Sequence, residues 1–574
     1  MHGRLSERRS ASRTIDGAID MKHGARGRLS YRPPLTIWLL LGYATLAAGC
    51  NHEEGIVGDD DETVAVSPTP ARVPVPGDYS LTGTVSYEYV PYDEVNEGLN
   101  YGATTPRPIR GCEIYLKDAD TEETLATTIS GEDGSYEFEW SGSNYVKLWT
   151  YARTVDPVIR VEDNTHEDAI WVVQSEIVDA RDNTPYHYLA TTGWSGDSYR
   201  GQRASAPFAV LDAAYTAARR FMEETSDPPE FPPLAINWSP GNRPECCDKS
   251  QGEISSSHWD GSEIYLVGKE DLDTDEFDSH VIVHEWGHYF EDKLSRSDSL
   301  GGVHMLGDVL DPRLAWGEGW GNGLSAIILD DPVFGMSYGN NQAYGMHLEV
   351  DQNPVSLEDA PGWYSETSVM ALLYDLYDTG DDEPFDQVAL GIDPLYQVLV
   401  GPQADTSAYT TLFSFIAFLK QLYPEEAEGI DQLVTYHSTN PSFGIDVVQD
   451  EWGNGETHDG GVDGALPIYQ EAEVGDTLQL QLTGNLEYNK LGQNRYVKLT
   501  GDGSIIRVTT TCDQELDVYV QHKGEYIAGS YRSGGNERTD FRSEAGEIYV
   551  VNVIGLSEAP IVYEVTVEIT VVEE

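Results

Sequence analysis

Basic residues are in short supply: 35 Lys and Arg face 98 Asp and Glu, for a formal net charge of −63 at pH 7. Binding to phosphate backbones needs a cationic surface, so no nucleic acid is expected as a partner. Cysteine is scarce as well, five in 574 residues, too few for a disulfide scaffold. Cys246 and Cys247 are adjacent, and neighbouring cysteines seldom pair given the geometry a disulfide demands. Long apolar runs are missing too. Thr36–Cys50, Thr-Ile-Trp-Leu-Leu-Leu-Gly-Tyr-Ala-Thr-Leu-Ala-Ala-Gly-Cys, is too short and too lightly apolar for a membrane-spanning helix. No internal repeat stands out. What remains is an acidic chain long enough for three or four domains. Its acid suits solubility in salt, and the cluster Asp271–Asp278 is a candidate for Ca2+.

The organising stretch is Val281-Ile-Val-His-Glu-Trp-Gly-His-Tyr-Phe290, in which His284 and His288 flank Glu285 at i and i+4. Residues four apart share a helix face, so both imidazoles can reach one zinc ion at about 2.0–2.1 Å. Glu285 then stands beside the metal, placed to take a proton from a water whose pKa zinc lowers towards about 7. Phe277, Val281, His284 and His288 recur at helical spacing, with Ile282 and Tyr289 as a second apolar flank, which makes the helix a buried one. Asp278 and Ser279 are its candidate caps.

A second helix is predicted over Leu314-Ala-Trp-Gly-Glu-Gly-Trp-Gly-Asn-Gly-Leu-Ser-Ala-Ile-Ile-Leu329. Each glycine costs roughly 1 kcal/mol in a helix, so Gly317, Gly319, Gly321 and Gly323 imply close backbone approach, as in packing on the first helix. Glu318 is the expected third ligand of a single zinc, with the fourth position left open. His304 and Asp308, in the connection between the two helices, compete for that role.

These two motifs resemble the gluzincin metallopeptidases, nearest to the fungalysin and thermolysin-like families, over roughly residues 200–380. The resemblance implies a zincin-like α+β domain over residues 186–455, with zinc held by His284, His288 and Glu318 and peptide bonds hydrolysed with Glu285 as base. Glu291 and Leu294 exclude the metzincin extension. Two positions depart from the pattern. Asn322 stands where these families carry an aspartate that orients the first histidine, and their transition-state histidine has no clear counterpart. Residues 368–377 look like the matching helix, with Trp363 and Tyr364 in the expected neighbourhood; the Tyr364 hydroxyl is a candidate substitute.

The flanks read as β-structure. Leu81, Gly83, Val85, Tyr87 and Tyr89 alternate with polar residues, as do Ile114 and Leu116, and Tyr136, Phe138 and Trp140 after Glu132-Asp-Gly-Ser135. This pattern resembles the prealbumin-like carboxypeptidase regulatory-like domain, expected over 79–185. The catalytic region opens with a helix over Ala206–Phe221, Pro207 in its first turn. Glu263–Gly268 reads as a strand beside the zinc helix, where an edge would pair with a peptide by β-augmentation. Further helices are expected at 366–377, 408–423 and 425–438. From about 465 alternation returns at Leu478–Leu482, Leu516–Val520, Ile548–Val553 and Tyr563–Val571, a β-sandwich over 465–574 that resembles the pre-peptidase C-terminal domain.

At the start, basic residues precede the Thr36–Cys50 run, so residues 1–49 read as a signal peptide, with Met21 as an alternative start. Removing those residues, 8 basic and 3 acidic, leaves a net charge of −68. Leu46-Ala-Ala-Gly-Cys50 resembles a bacterial lipobox, which implies lipidation at Cys50 and a lipoprotein of the outer membrane or cell surface, with plain secretion as the alternative. Residues 50–78, acidic and proline-rich, form a tether. The fold class is then multidomain α+β: β-sandwich, zincin-like metallopeptidase domain, β-sandwich. The expected function is a lipid-anchored, extracytoplasmic zinc endopeptidase acting on proteins or peptides. A surface binding protein with a degenerate metallopeptidase domain is the alternative.

Overall fold

In Gly77–Tyr89, Cys112–Asp118, Ser135–Gly142 and Tyr145–Thr154 successive side chains point to opposite faces, and the inward set, among them Val85, Ile114, Leu116, Phe138 and Leu148, is buried. The computed structural model describes residues 73–351, 360–379, 386–436 and 440–572, all within the unit Pro34–Glu574. The expected signal peptide, Cys50 and most of the expected tether lie outside the described residues.

One sheet of ten strands positions the site. Its path runs His258–Trp259, Ile264–Leu266, Leu234–Trp238, Ile159–Asp163, Tyr145–Thr154, Cys112–Asp118, Thr124–Ile129. Leu234–Trp238 pairs in parallel with both Ile159–Asp163 and Ile264–Leu266, so strands from either side of residue 185 share this sheet. All five residues of Leu234–Trp238 are buried, as suits a parallel strand covered on both faces. The strand expected at 263–268 is therefore interior and not an edge: His258–Trp259 pairs antiparallel with it and ends the sheet. Two residues are too few to show a period, so the true edge left no pattern in the sequence.

Helix Ser279–Leu294 lies beside this edge, and helix Pro312–Leu329 packs between it and helix Glu366–Tyr377. Pro312–Leu329 is entered through Asp311, whose side chain accepts from Arg313 N, with Pro312 at the first position. It is buried on all sides from Pro312 to Ile328. The glycines answer two neighbours. A Cβ on Gly321 would lie 2.7 Å from His284 Nδ1, whereas one on Gly319 would lie 2.4 Å from Val369 Cβ in Glu366–Tyr377. Asp278 precedes Ser279–Leu294 without capping it through its side chain; its carboxylate accepts from Ser337 N at 2.7 Å. Leu412–Leu422 and Ala427–Thr435 occupy the other expected helical stretches, and Ile392–Val400 adds a helix not anticipated.

From Tyr469 onward nine strands form sheets of five and four around a core that includes Leu482, Leu499, Val518, Val553 and Val567. Tyr469 and Tyr496 belong instead to the main core, with Tyr409 and Phe413. The molecule is thus mixed α and β. The peptide bond between Cys246 and Cys247 is cis. Among the described residues no helix is long and apolar enough to cross a membrane.

Candidate metal centre

One turn of helix Ser279–Leu294 presents His284 and His288, whose Nε2 atoms lie 3.1 Å apart. Glu318 Oε2, from the facing helix, is 3.3 Å from the first and 3.6 Å from the second. A tetrahedral ion bonded at about 2.0–2.1 Å spaces its ligand atoms by roughly 3.3–3.4 Å, so the three atoms fit three vertices and leave a fourth for water or substrate. Protonation agrees with this. His284 Nδ1 is 2.8 Å from Asn322 Oδ1, an oxygen that can only accept, so Nδ1 carries the proton and Nε2 offers its lone pair. Asn322 thereby performs through its amide oxygen the orienting task expected of an aspartate.

The chemistry of Glu318 fits a cation as well. The residue is 1% exposed, and its Oε2 lies 3.3–3.6 Å from ring nitrogens of His284, His288 and His304. A buried carboxylate is costly without positive charge beside it. Burial works against its ionised form, but His304 and His288 outweigh burial and hold its carboxyl well below the usual carboxylate range. Burial likewise opposes the cationic form of His288, and Glu318 overrides it, pushing the imidazole up to about 9.

His304 is in the site, although not as a vertex of this triangle. Its Nε2 is 3.3 Å from Glu318 Oε2, and its Nδ1 is 2.8 Å from Glu366 Oε2. The side chains of His304, Glu318 and Glu366 could themselves surround an ion. A separation of 2.8 Å, however, is shorter than a tetrahedral edge, so His304 and Glu366 form an ion pair. Desolvation again opposes the imidazolium, and Glu318 and Glu366 overcome it, raising His304 to about 10. Glu366 went unnoticed in the sequence. Its one signal was an acid in the first turn of the helix matched to the gluzincin pattern, a place where solvated carboxylates are ordinary.

Asp308 is not at the site; its carboxylate pairs with Lys490 Nζ at 2.6 Å. Tyr364 is fully buried with its hydroxyl 3.1 Å from Ser442 O and 3.2 Å from Pro361 O, turned away from the substrate space. Of the acids at 271–278, Asp273 and Asp275 line the same cavity as His284 and Glu285; Asp271 accepts from Asn341 N, Asp275 from Ser257, Asp278 from Ser337, and Glu276 pairs with Arg203. None of them joins a candidate metal group among the described residues. The remaining group, Asp446, Glu456 and His458, is already hydrogen-bonded within itself, His458 Nδ1 lying 2.8 Å from Glu456 Oε1.

A cavity of about 140 Å³ opens onto His284, Glu285, His304 and Glu366, with Val281, Phe334, Met336 and Leu348 as its apolar wall. Glu285 Oε2 accepts from Trp259 N at 2.8 Å. The sheet edge thus fixes the carboxylate that lines the cavity.

The family described as the mycolysin C-terminal domain matches residues 230–426. That span holds His284, Glu285, His288, His304, Glu318, Asn322 and Glu366, and the chain is thereby a metallopeptidase-related protein. No curated protein matches it. Among solved structures, the pre-peptidase C-terminal domain of a Bacillus anthracis collagenase is 11% identical, covering 18% of this chain and 94% of its own, with a TM-score of 0.15. The Aeromonas hydrophila protein PliG, a periplasmic inhibitor of g-type lysozyme, is 15% identical over 18% of this chain and 99% of its own, with a TM-score of 0.13. Scores this low carry no argument, and the C-terminal sandwich stands on its own strands.

Proposed function

We propose that this protein is a zinc-dependent endopeptidase. The observation that carries the reading is the triangle of His284 Nε2, His288 Nε2 and the buried Glu318 Oε2, at tetrahedral-edge separations. Zinc held by these residues supplies a Lewis acid that polarises a carbonyl and acidifies water. Asn322 fixes the His284 ring. Glu285, held by the Trp259 amide, accepts the proton of the attacking water and passes it to the leaving nitrogen. His304, held through Nδ1 by Glu366 at 2.8 Å, turns its Nε2 to the Glu318 side of the cavity and presents an N–H to the carbonyl oxygen as negative charge grows there. The apolar wall receives a substrate side chain. The lipobox-like Leu46–Cys50 supports a lipid-anchored, extracytoplasmic location for this activity.

The test is casein hydrolysis by purified protein. Activity should vanish with a chelator and return with zinc. Glu285→Gln should keep the metal and lose about 10²–10⁴-fold in kcat, the usual loss for a general base. Turnover within about tenfold of wild type in that variant would remove Glu285 from the mechanism, and chelator-resistant hydrolysis would remove zinc.

A further inference from the structure

Residues 295–311 join the two ligand-bearing helices and deliver His304, yet they contain neither helix nor strand. A segment without a hydrogen-bond ladder of its own takes its shape from its neighbours. The first part is held within the metallopeptidase region: Asp298 N donates to Thr410 Oγ1 at 3.1 Å, and Thr410 N donates to Asp298 Oδ2 at 2.8 Å.

The second part is held by the C-terminal sandwich. Asn489 Nδ2 donates to the carbonyl of Val303, the residue before His304. Asn489 O accepts from Asp311 N at 2.9 Å, Leu491 N donates to Val309 O at 3.0 Å, and Leu310 forms an antiparallel bridge with Lys490. Lys490 Nζ pairs with Asp308 at 2.6 Å. Gly302, at φ 111°, passes so close that a Cβ there would lie 2.7 Å from Asn489 Nδ2. At the start of the Glu318 helix, Tyr496 Oη donates to Asp311 Oδ2 at 2.5 Å. Asn489 is 1% exposed, and a hydrogen bond shielded from water holds its partner more firmly than one at the surface.

We infer that the turn at Asn489 and Lys490 is a positioning element of the catalytic site, and that the C-terminal sandwich sets His304 against Glu318 and Glu366. The inference rests on the proposed role of His304. It makes the sandwich part of the active site and not a detachable appendage. Among the described residues no hydrogen bond or ion pair joins the turn to the helix of His284 and His288, so disturbing the turn affects the His304 side of the cavity first.

The experiment uses the full chain as wild type, Asn489→Ala, His304→Ala and the double variant, and measures zinc content, peptide-hydrolysis kinetics and amide hydrogen exchange. Asn489→Ala should retain one zinc, lose roughly 10- to 100-fold in kcat, the scale of a group misplaced by about 1 Å, and leave KM nearly unchanged. Exchange should speed up at residues 300–311 and stay slow at 281–290. In the His304→Ala background the same change should produce no further loss, because the two residues act through one group. Unchanged exchange at 300–311, or an equal further loss of kcat in that background, would overturn the inference. Should zinc-loaded wild type hydrolyse no peptide at all, the peptidase reading falls, while the exchange comparison still decides what Asn489 holds.

Discussion

Glu318 shows most plainly what the site requires: its buried Oε2 is ringed by three imidazole nitrogens at 3.3–3.6 Å. A pH dependence follows. Once zinc is removed, His288, raised to about 9, and His304, raised to about 10, serve as its counter-charges. Their contribution to stability is complete below the unfolded histidine value of about 6.5 and is lost as pH rises through 9 and 10. Glu291 and Asp275, which burial pushes up to about 7, have finished losing their contribution by about pH 8. Cys112 and buried tyrosines such as Tyr409, which burial also pushes up, lose stability across the same window from 8 to 10, so the His304 share is the part missing from chelated His304→Ala protein. Urea denaturation of chelated protein should show stability falling across that window, and zinc-loaded protein should lose less, since a ligating His288 has no proton to release. A chelated protein that gains stability from pH 8 to 10 would contradict this balance. The i, i+4 spacing of His284 and His288 around Glu285 is written in the sequence, and Glu318 was expected as the acid of the glycine-bearing helix. The pairing of His304 with Glu366 was not, because it joins an irregular segment to a helix start 62 residues away and only the tertiary fold brings them together.

Among the elements, the Glu318 helix is the most constrained. Replacing a helical glycine by alanine gains about 1 kcal/mol of propensity, whereas forcing a methyl into a packed interior costs about 1–3 kcal/mol. At Gly321 the methyl would meet the His284 ring at 2.7 Å, so steric conflict wins and acts directly on a ligand. Gly321→Ala should keep its helical circular dichroism and weaken zinc binding by at least about tenfold, the scale of a disturbed ligand-orienting contact. A competitive chelator titration giving wild-type affinity would show that His284 can move aside without loss. The glycines announced this packing in the sequence, but not its division between two neighbouring helices, because a helix carries no sign of which partner lies on each side. The edge strand was misplaced for a related reason: His258–Trp259 is too short to show a period, while Ile264–Leu266, beside it, is apolar enough to attract notice.

For the whole molecule, the β-rich flanks are structurally continuous with the site they surround. The ten-stranded sheet runs from Thr124–Ile129 to the edge at Trp259, whose amide holds Glu285. Alternation revealed the strands on either flank, but register and docking depend on contacts far apart in sequence and left no local mark. At this scale belongs the anchor proposed at Cys50: Cys50→Ser should move the protein from the membrane fraction to the soluble one, and a variant that still pellets after a high-salt wash would refute lipidation there. The central claim is a single zinc held by His284, His288 and Glu318. Its most direct test is metal analysis of wild type, Glu318→Ala and Asp308→Ala after dialysis against trace zinc. The account predicts one zinc per chain in wild type and in Asp308→Ala, and little or none in Glu318→Ala; full zinc in Glu318→Ala would contradict it.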